Sequence, residues 1–453
     1  MTMPTPETWS NLAPAWWQVG PTWANVFEQA PPWKPEPTVT IGGVSFTGQT
    51  VDSVRIERGR RTPYEVPRAG YASFQLRDVG DMAEIRVGQE VVITMNNTSG
   101  APTTIFTGLL SDWSASTVAT RGDPVVRYRV QAVGPLALLN RRVTFFDGRP
   151  PENDGERVLA AVRGAETTWE EVSFSLRWQD AEGTWETFAG IDTSLINDGV
   201  FALAALGGSD SGYNALQVAQ EAGFSGEGTL FESADGRIGY ANADRRFANE
   251  RAGFIDVPAS QLSVEGLGWR SELAEITNRV TLEYDGGAVV SDDPFSIVEF
   301  GLYERQISTR LLNLNNARAR ARDFVSRHST PLEVIEELRF NLFAVDGFLR
   351  DVLFDADVNA AIRVSDIPRR VGFRLFEGFV EGLTLNVGEF SASLTLNVSD
   401  KTLSVASRRW GQIDPTWTWS DLIPSEWRNA EYLLVNFPPL GQTGNPFRPD
   451  PDP

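Results

Sequence analysis

The chain has 453 residues and a mass of 50.0 kDa, too long for one hydrophobic core and enough for about two to four domains. Its 40 basic and 60 acidic residues leave a net charge of −20, which opposes any broad phosphate-binding or anionic-membrane surface. With no cysteine and a single histidine, His328, the composition excludes disulfides, thiolate nucleophiles, Fe–S clusters and most zinc or relay chemistry, and no cofactor is expected.

Met1–Glu7 carries neither a basic segment nor an apolar run, so no signal peptide is expected. Residues 1–37 are rich in Pro and Trp, show no helical or strand period, and read as an extended arm. Strand patterning begins near Thr38. Val54 and Ile56 alternate with Ser53, Arg55 and Glu57, and Phe74 and Leu76 with Ser73, Gln75 and Arg77. Val91–Met95, Ile105–Leu110 and Val126–Val133 follow, and Pro135–Arg141 reads as a short helix that closes the unit. Residues 38–145 are therefore assigned to a first antiparallel β-barrel or sandwich domain.

Residues 146–250 read as a small α+β insert. Gly155–Arg163 and Asn214–Ala222 have helical spacing, with Ser211 or Asn214 as the N-cap of the second, and the segment around Asp235-Gly236 predicts a hairpin. Strands return at Val280, Leu282 and Tyr284. A helix over Asn315–Arg327 follows, then strands near Glu333–Phe343, Ala360–Val364, Val371–Leu375 and Phe390–Val398. Residues 251–405 make a second, similar β domain and residues 406–453 a second Trp/Pro-rich arm. The fold class is mainly β, with two similar antiparallel domains, an α+β insert and extended ends.

Two internal repeats stand out. TWSNLAPAW (Thr8–Trp16) matches TWSDLIPSEW (Thr418–Trp427), and QVGPTW (Gln18–Trp23) matches QIDPTW (Gln412–Trp417). The tryptophans of these arms, Trp9, Trp16, Trp17, Trp23, Trp33, Trp410, Trp417, Trp419 and Trp427, are candidate interaction residues, because large rings on a Pro-stiffened chain seek burial at a partner surface. The second repeat joins the β domains: Phe106-Thr107-Gly108 through Trp113 parallels Phe376-Glu377-Gly378 through Leu383, each followed by a strongly alternating strand. Phe106, Gly108, Phe376 and Gly378 are thus expected at equivalent positions.

No motif carries enzyme chemistry. His328 lies at a helix end, where the helix dipole accounts for it. The loop Gly207–Gly212 lacks the Lys and Ser/Thr of a phosphate cradle. Asp292-Asp293 and Asp355-Ala356-Asp357 read as surface turns rather than paired catalytic or calcium carboxylates.

The order of segments resembles the tail-hub or minor tail proteins of tailed bacteriophages, which are related to the baseplate hub of contractile tails. The likeness runs through Tyr71–Asp78, Val87–Val91, Phe106–Gly108, Val130–Leu139, Leu216–Tyr240, Asn278–Leu282 and Ala317–Arg327, over roughly residues 40–400. The resemblance implies a non-enzymatic virion protein of the tail tip, assembled in the host cytoplasm. It further implies a homotrimer whose paired β domains form a pseudo-sixfold ring. The partners it implies are a distal tail protein, a tape measure protein and other minor tail proteins, with viral DNA passing transiently and without specific binding. Alternatives are a receptor or carbohydrate binder that contacts the host surface through exposed Trp, and a sixfold distal-tail ring protein.

Overall fold

The computed structural model describes residues 33–77, 85–118, 125–144, 148–166, 199–209, 212–270, 275–331, 334–368, 375–388 and 390–401. The chain first lays down β1 (Thr38–Ile41), β2 (Val44–Phe46), β3 (Val51–Gly59), β4 (Arg68–Arg77), β5 (Glu90–Asn96), β6 (Pro102–Val118) and β7 (Val125–Val133), then helix α1 (Pro135–Leu139). The middle holds β8 (Val143–Thr144), β9 (Glu152–Asn153), α2 (Asp154–Glu166), β10 (Ala202–Leu203) and β11 (Tyr213–Asn214). It continues with α3 (Ala215–Ser225), β12 (Thr229–Glu232), β13 (Ile238–Ala241) and α4 (Ala243–Ala252). Next come β14 (Ile255–Pro258), β15 (Leu267–Arg270), β16 (Arg279–Tyr284), β17 (Gly287–Asp292), α5 (Pro294–Phe300), β18 (Glu304–Ser308) and α6 (Leu314–His328). The described chain ends with β19 (Val334–Asn341), α7 (Gly347–Asp355), β20 (Ala361–Ser365), β21 (Phe376–Gly388) and β22 (Ser391–Asp400).

Local chemistry explains the elements. In β22, Ala392, Leu394, Leu396 and Val398 are buried between the polar Ser391, Ser393, Thr395 and Asn397, so one face packs and the other is wet. Pro135 opens α1 at a position that needs no N–H donor. Asn214 caps α3 by accepting from the Gln217 N–H at 2.9 Å, so of the two cap candidates Asn214 fills the role. The hairpin of β12 and β13 turns at Asp235-Gly236, where Gly236 takes φ +79°.

Thirteen strands form one sheet among the described residues, in the order β15-β19-β22-β21-β3-β4-β7-β6-β5-β1-β2, with β20 on β21 and β14 on β20. It divides into two six-strand halves of the same order: β3-β4-β7-β6-β5-β1 and β15-β19-β22-β21-β20-β14. The outermost strands differ, since β1 runs antiparallel to β5 and β14 parallel to β20. The described path does not close on itself. In place of separate closed barrels, the halves share one open sheet, because the later part of β21 hydrogen-bonds to β3.

A second core forms away from this sheet. Leu136, Val158, Leu203, Ala219, Leu230 and Ile238 pack with Val280, Leu282, Ala317 and Ala321. The three-stranded sheet β17-β16-β18 and the helix α6 that covers it therefore belong to the same core as the insert. Packing cuts across the boundary expected at residue 250, because the connection from β15 to β19 is long enough to leave its half-sheet. The strand expected at Val371–Leu375 falls mostly on 369–374, outside the described residues.

Candidate functional site: the joint between half-sheets

Phe106 and Gly108 lie in β6, and Phe376 and Gly378 in β21. Phe106 faces Ile93 and Gly108 faces Val91 of β5; Phe376 faces Val364 and Gly378 faces Ile362 of β20. A Cβ on Gly108 would stand 2.4 Å from the Val133 carbonyl and 2.8 Å from the Phe106 ring. A Cβ on Gly378 would stand 2.3 Å from the Ser399 carbonyl and 2.6 Å from the Phe376 ring. This gives Phe-x-Gly its physical reason: residues two apart share a face of the strand, and the ring folds over the glycine into space a side chain would fill. Two residues later each strand bulges, between Leu110 and Asp112 against β7 and between Val380 and Gly382 against β22.

Beyond the bulge the halves part. Residues 382–388 of β21 pair with residues 59–53 of β3 and join the halves. The backbones crowd there: a Cβ on Gly382 would lie 2.5 Å from the Arg60 carbonyl, and one on Gly59, at φ +82°, 2.4 Å from the Glu381 carbonyl. The bulged residue of β21 is Glu381, fully buried. Its carboxylate accepts from Arg60 Nε at 2.8 Å and from the Ser399 hydroxyl at 2.6 Å, and pairs with Arg246 Nη2 of α4 at 2.7 Å. Burial alone would raise its pKa, but Arg246, Arg60 and Ser399 outweigh that and hold it at about 2.

One further ion pair ties β3 to the second half, and hydrogen bonds to Glu232 and Thr229 fasten the insert to the joint. Arg58 pairs with Asp357 at 2.9 Å and donates to the Glu232 carbonyl at 3.3 Å. The Glu232 side chain accepts from the backbone N–H of Gly70 in β4 and of Leu136 in α1, both at 2.5 Å. Burial lifts its pKa to about 7 against the pull of these two donors and Arg58. Arg60 also donates to Thr229 Oγ1 at 3.1 Å. Strand β3, the second half-sheet and the insert thus meet on one buried charge cluster.

Beside it, a cavity of about 100 Å³ is lined in part by Tyr64, Arg305, Arg320, Arg327 and His328. His328 Nδ1 contacts the Phe324 carbonyl at 2.8 Å, so that nitrogen donates and Nε2, at 2.6 Å, accepts from the Tyr64 hydroxyl. The ring stacks on Phe324 at 4.2 Å. Burial lowers its pKa to about 4. The dipole reading of His328 is corrected accordingly: the side chain is neutral, and burial rather than helix charge fixes its state.

The carboxylate pairs hold structure together. Asp293 caps α5 by accepting from Phe295 and Ser296, and Asp292 pairs with Arg279 at 3.0 Å. Asp357 is not a surface turn, since it is the largely buried partner of Arg58, with 12% of its side chain exposed. Among the described residues, no cluster of three or more His, Asp or Glu is placed to hold a metal ion. Of the arm tryptophans, Trp33 is described, while Trp9, Trp16, Trp17, Trp23, Trp410, Trp417, Trp419 and Trp427 lie outside the described residues.

No protein-family model and no curated protein matches the chain. Solved structures do. The 43 kDa tail protein of prophage MuSo2 from Shewanella oneidensis superposes with a TM-score of 0.52 at 11% identity, covering 82% of this chain and 99% of that one. The tail protein from Neisseria meningitidis MC58 superposes with a TM-score of 0.54 at 12% identity, again covering 82% and 99%. This chain has the fold of phage tail proteins. The paired half-sheets therefore belong to a tail-protein fold that spans nearly the whole of both neighbours.

Sequence reading missed Glu381, Arg60 and Arg246. A signal for the first was present: in Phe379-Val380-Glu381-Gly382-Leu383 two adjacent apolar residues break the alternation and mark the bulge.

Proposed function

We propose that this chain is a structural protein of a phage tail tip, built as a hub ring that continues the tail tube and lets DNA pass during ejection. The observation that carries the reading is the repetition of a half-sheet, bulge included, within a tail-protein fold. Two similar units per chain suit a trimer that presents six similar faces to a sixfold tube. A net charge of −20 suits a lumen that does not hold phosphate. The role is mechanical, with no enzymatic step. The distal tail protein and tape measure protein are the proposed neighbours, and the Trp-rich ends the proposed docking arms.

Native mass spectrometry of the purified chain, with electron microscopy of particles carrying a labelled copy, tests this. Trimers and label at the tail tip are expected, with acidic side chains outnumbering Arg on the inner wall. A stable monomer absent from the particle would overturn the reading. Deleting residues 1–36 is expected to block particle assembly; particles that assemble yet fail to adsorb to cells would make the arms receptor binders.

A further inference from the structure

The intrachain joint uses one edge from each half, the later part of β21 and the outer edge of β3. Carrying the matched registers across identifies the edges that the same joint would need a second time. Gly382–Gly388 correspond to Asp112–Val118 of β6, because Phe379 opposite Ser399 matches Leu109 opposite Val133, with the bulge at the same step. Val54 of β3, opposite Phe74, corresponds to Leu267 of β15, opposite Leu338, because Phe74 faces Val130 as Leu338 faces Leu396.

Both counterpart edges are open among the described residues. β5 covers β6 only as far as Leu109, leaving residues 112–118 paired on the β7 side alone, and β15 ends the sheet path. Leu383, Leu385 and Val387 are buried in the joint, whereas their counterparts Trp113, Ala115 and Thr117 are exposed, Trp113 by 37%. Trp269 on β15 is 47% exposed. A long open edge that shows a tryptophan invites another strand.

We infer that residues 112–118 of β6 in one copy pair antiparallel with β15 of a second copy of this chain, repeating between subunits the joint made within each. The register follows from the internal one: Val387 faces Val54 and Asn386 faces Arg55, so Thr117 faces Leu267 and Ser116 faces Gly268 of the next copy. The two edges differ, so the contact is head-to-tail and closes only as a ring. The inference rests on the ring reading above and names the surface that builds the ring.

The chain has no cysteine, so an introduced pair is unique. Directly opposed residues in an antiparallel pair lie within disulfide reach. The experiment is oxidation of full-length Thr117→Cys/Leu267→Cys protein, in solution and in assembled particles. The 50.0 kDa band is expected to shift to a covalent ladder that ends at the closed oligomer. Mixed single variants should give a dimer that neither gives alone. Ser116→Cys/Gly268→Cys is a second pair at low folding risk, since a Cβ on Gly268 meets nothing within 4 Å. An intact oligomer that neither pair cross-links would overturn the strand pairing and leave the ring reading standing. A chain that stays monomeric in solution and is absent from particles would overturn both.

Discussion

The two half-sheets share strand order, the glycine-ring motif and the bulge, yet they treat the bulged residue differently. In the first half it is Ser111, half-buried, whose hydroxyl donates to the Gln131 carbonyl at 3.1 Å. In the second it is Glu381, enclosed by Arg60, Arg246 and Ser399. The same backbone irregularity thus serves an open edge in one place and a charge-locked joint in the other. The backbone repeat sets where a joint can form, and the side chain at the bulge sets which joint is locked within the chain.

The largest test of this contrast is at the bulge. Glu381→Ala leaves two buried guanidinium groups without their carboxylate and is expected to cost about 3–5 kcal/mol in urea unfolding. Ser111→Ala is expected to cost no more than about 1 kcal/mol. Equal losses would show that the bulges play the same part.

Acid should act on the second half's side of the molecule. His328 titrates at about 4 when folded and near 6.5 when unfolded, so the unfolded chain takes the proton first. The stabilisation is complete above about pH 6.5 and is lost as pH falls toward 4, by roughly 3 kcal/mol. Glu232, held at about 7, titrates in the same window with the opposite sign, so the measurement is the difference in unfolding free energy between the wild type and His328→Gln, which should shrink as pH falls from about 6.5 toward 4. The first half has no counterpart, since the connection between β3 and β4 is short where that between β15 and β19 carries α6.

The glycines test sameness rather than difference. Gly108→Ala and Gly378→Ala each push a Cβ against a neighbouring carbonyl and a Phe ring, and each is expected to cost about 1–3 kcal/mol. Losses that differ by more than about 1 kcal/mol would break the equivalence. The smallest effect serves as a reference outside the sheet: Asn214→Ala removes the α3 cap, and the loss expected is about 1 kcal/mol.

Much of this architecture was legible in the sequence. Strands with one wet face, such as β4, β7 and β22, announce themselves by alternation, and α1, α2, α3 and α6 by spacing and caps. The repeat was legible through Phe106-Thr107-Gly108 and Phe376-Glu377-Gly378, since the ring-over-glycine contact is local. The charge cluster was not, because Arg60, Arg246 and Glu381 meet from three distant segments and a lone Glu in a strand reads as solvent-facing. Helix α4 was hidden for a related reason: Arg245 and Arg246 occupy its buried side, so its apolar stripe is weak. Strand β15 has four residues, Leu-Gly-Trp-Arg, too few to show a period.

The buried carboxylate also governs mispairing. Among the described residues, β3, β15 and the later parts of β6 and β21 are the edges of the kind that the joint uses, and a crowded cell offers many copies at once. If β3 of one molecule met β6 of another, Arg60 would be drawn into a dry contact against Ser111, with no negative charge to receive it, and the encounter would be penalised by the desolvation of a guanidinium. Glu381 thereby works as a key that fits one lock: it favours pairing of β3 with β21, where Arg60 meets a carboxylate, over pairing of β3 with β6, where it would meet a serine.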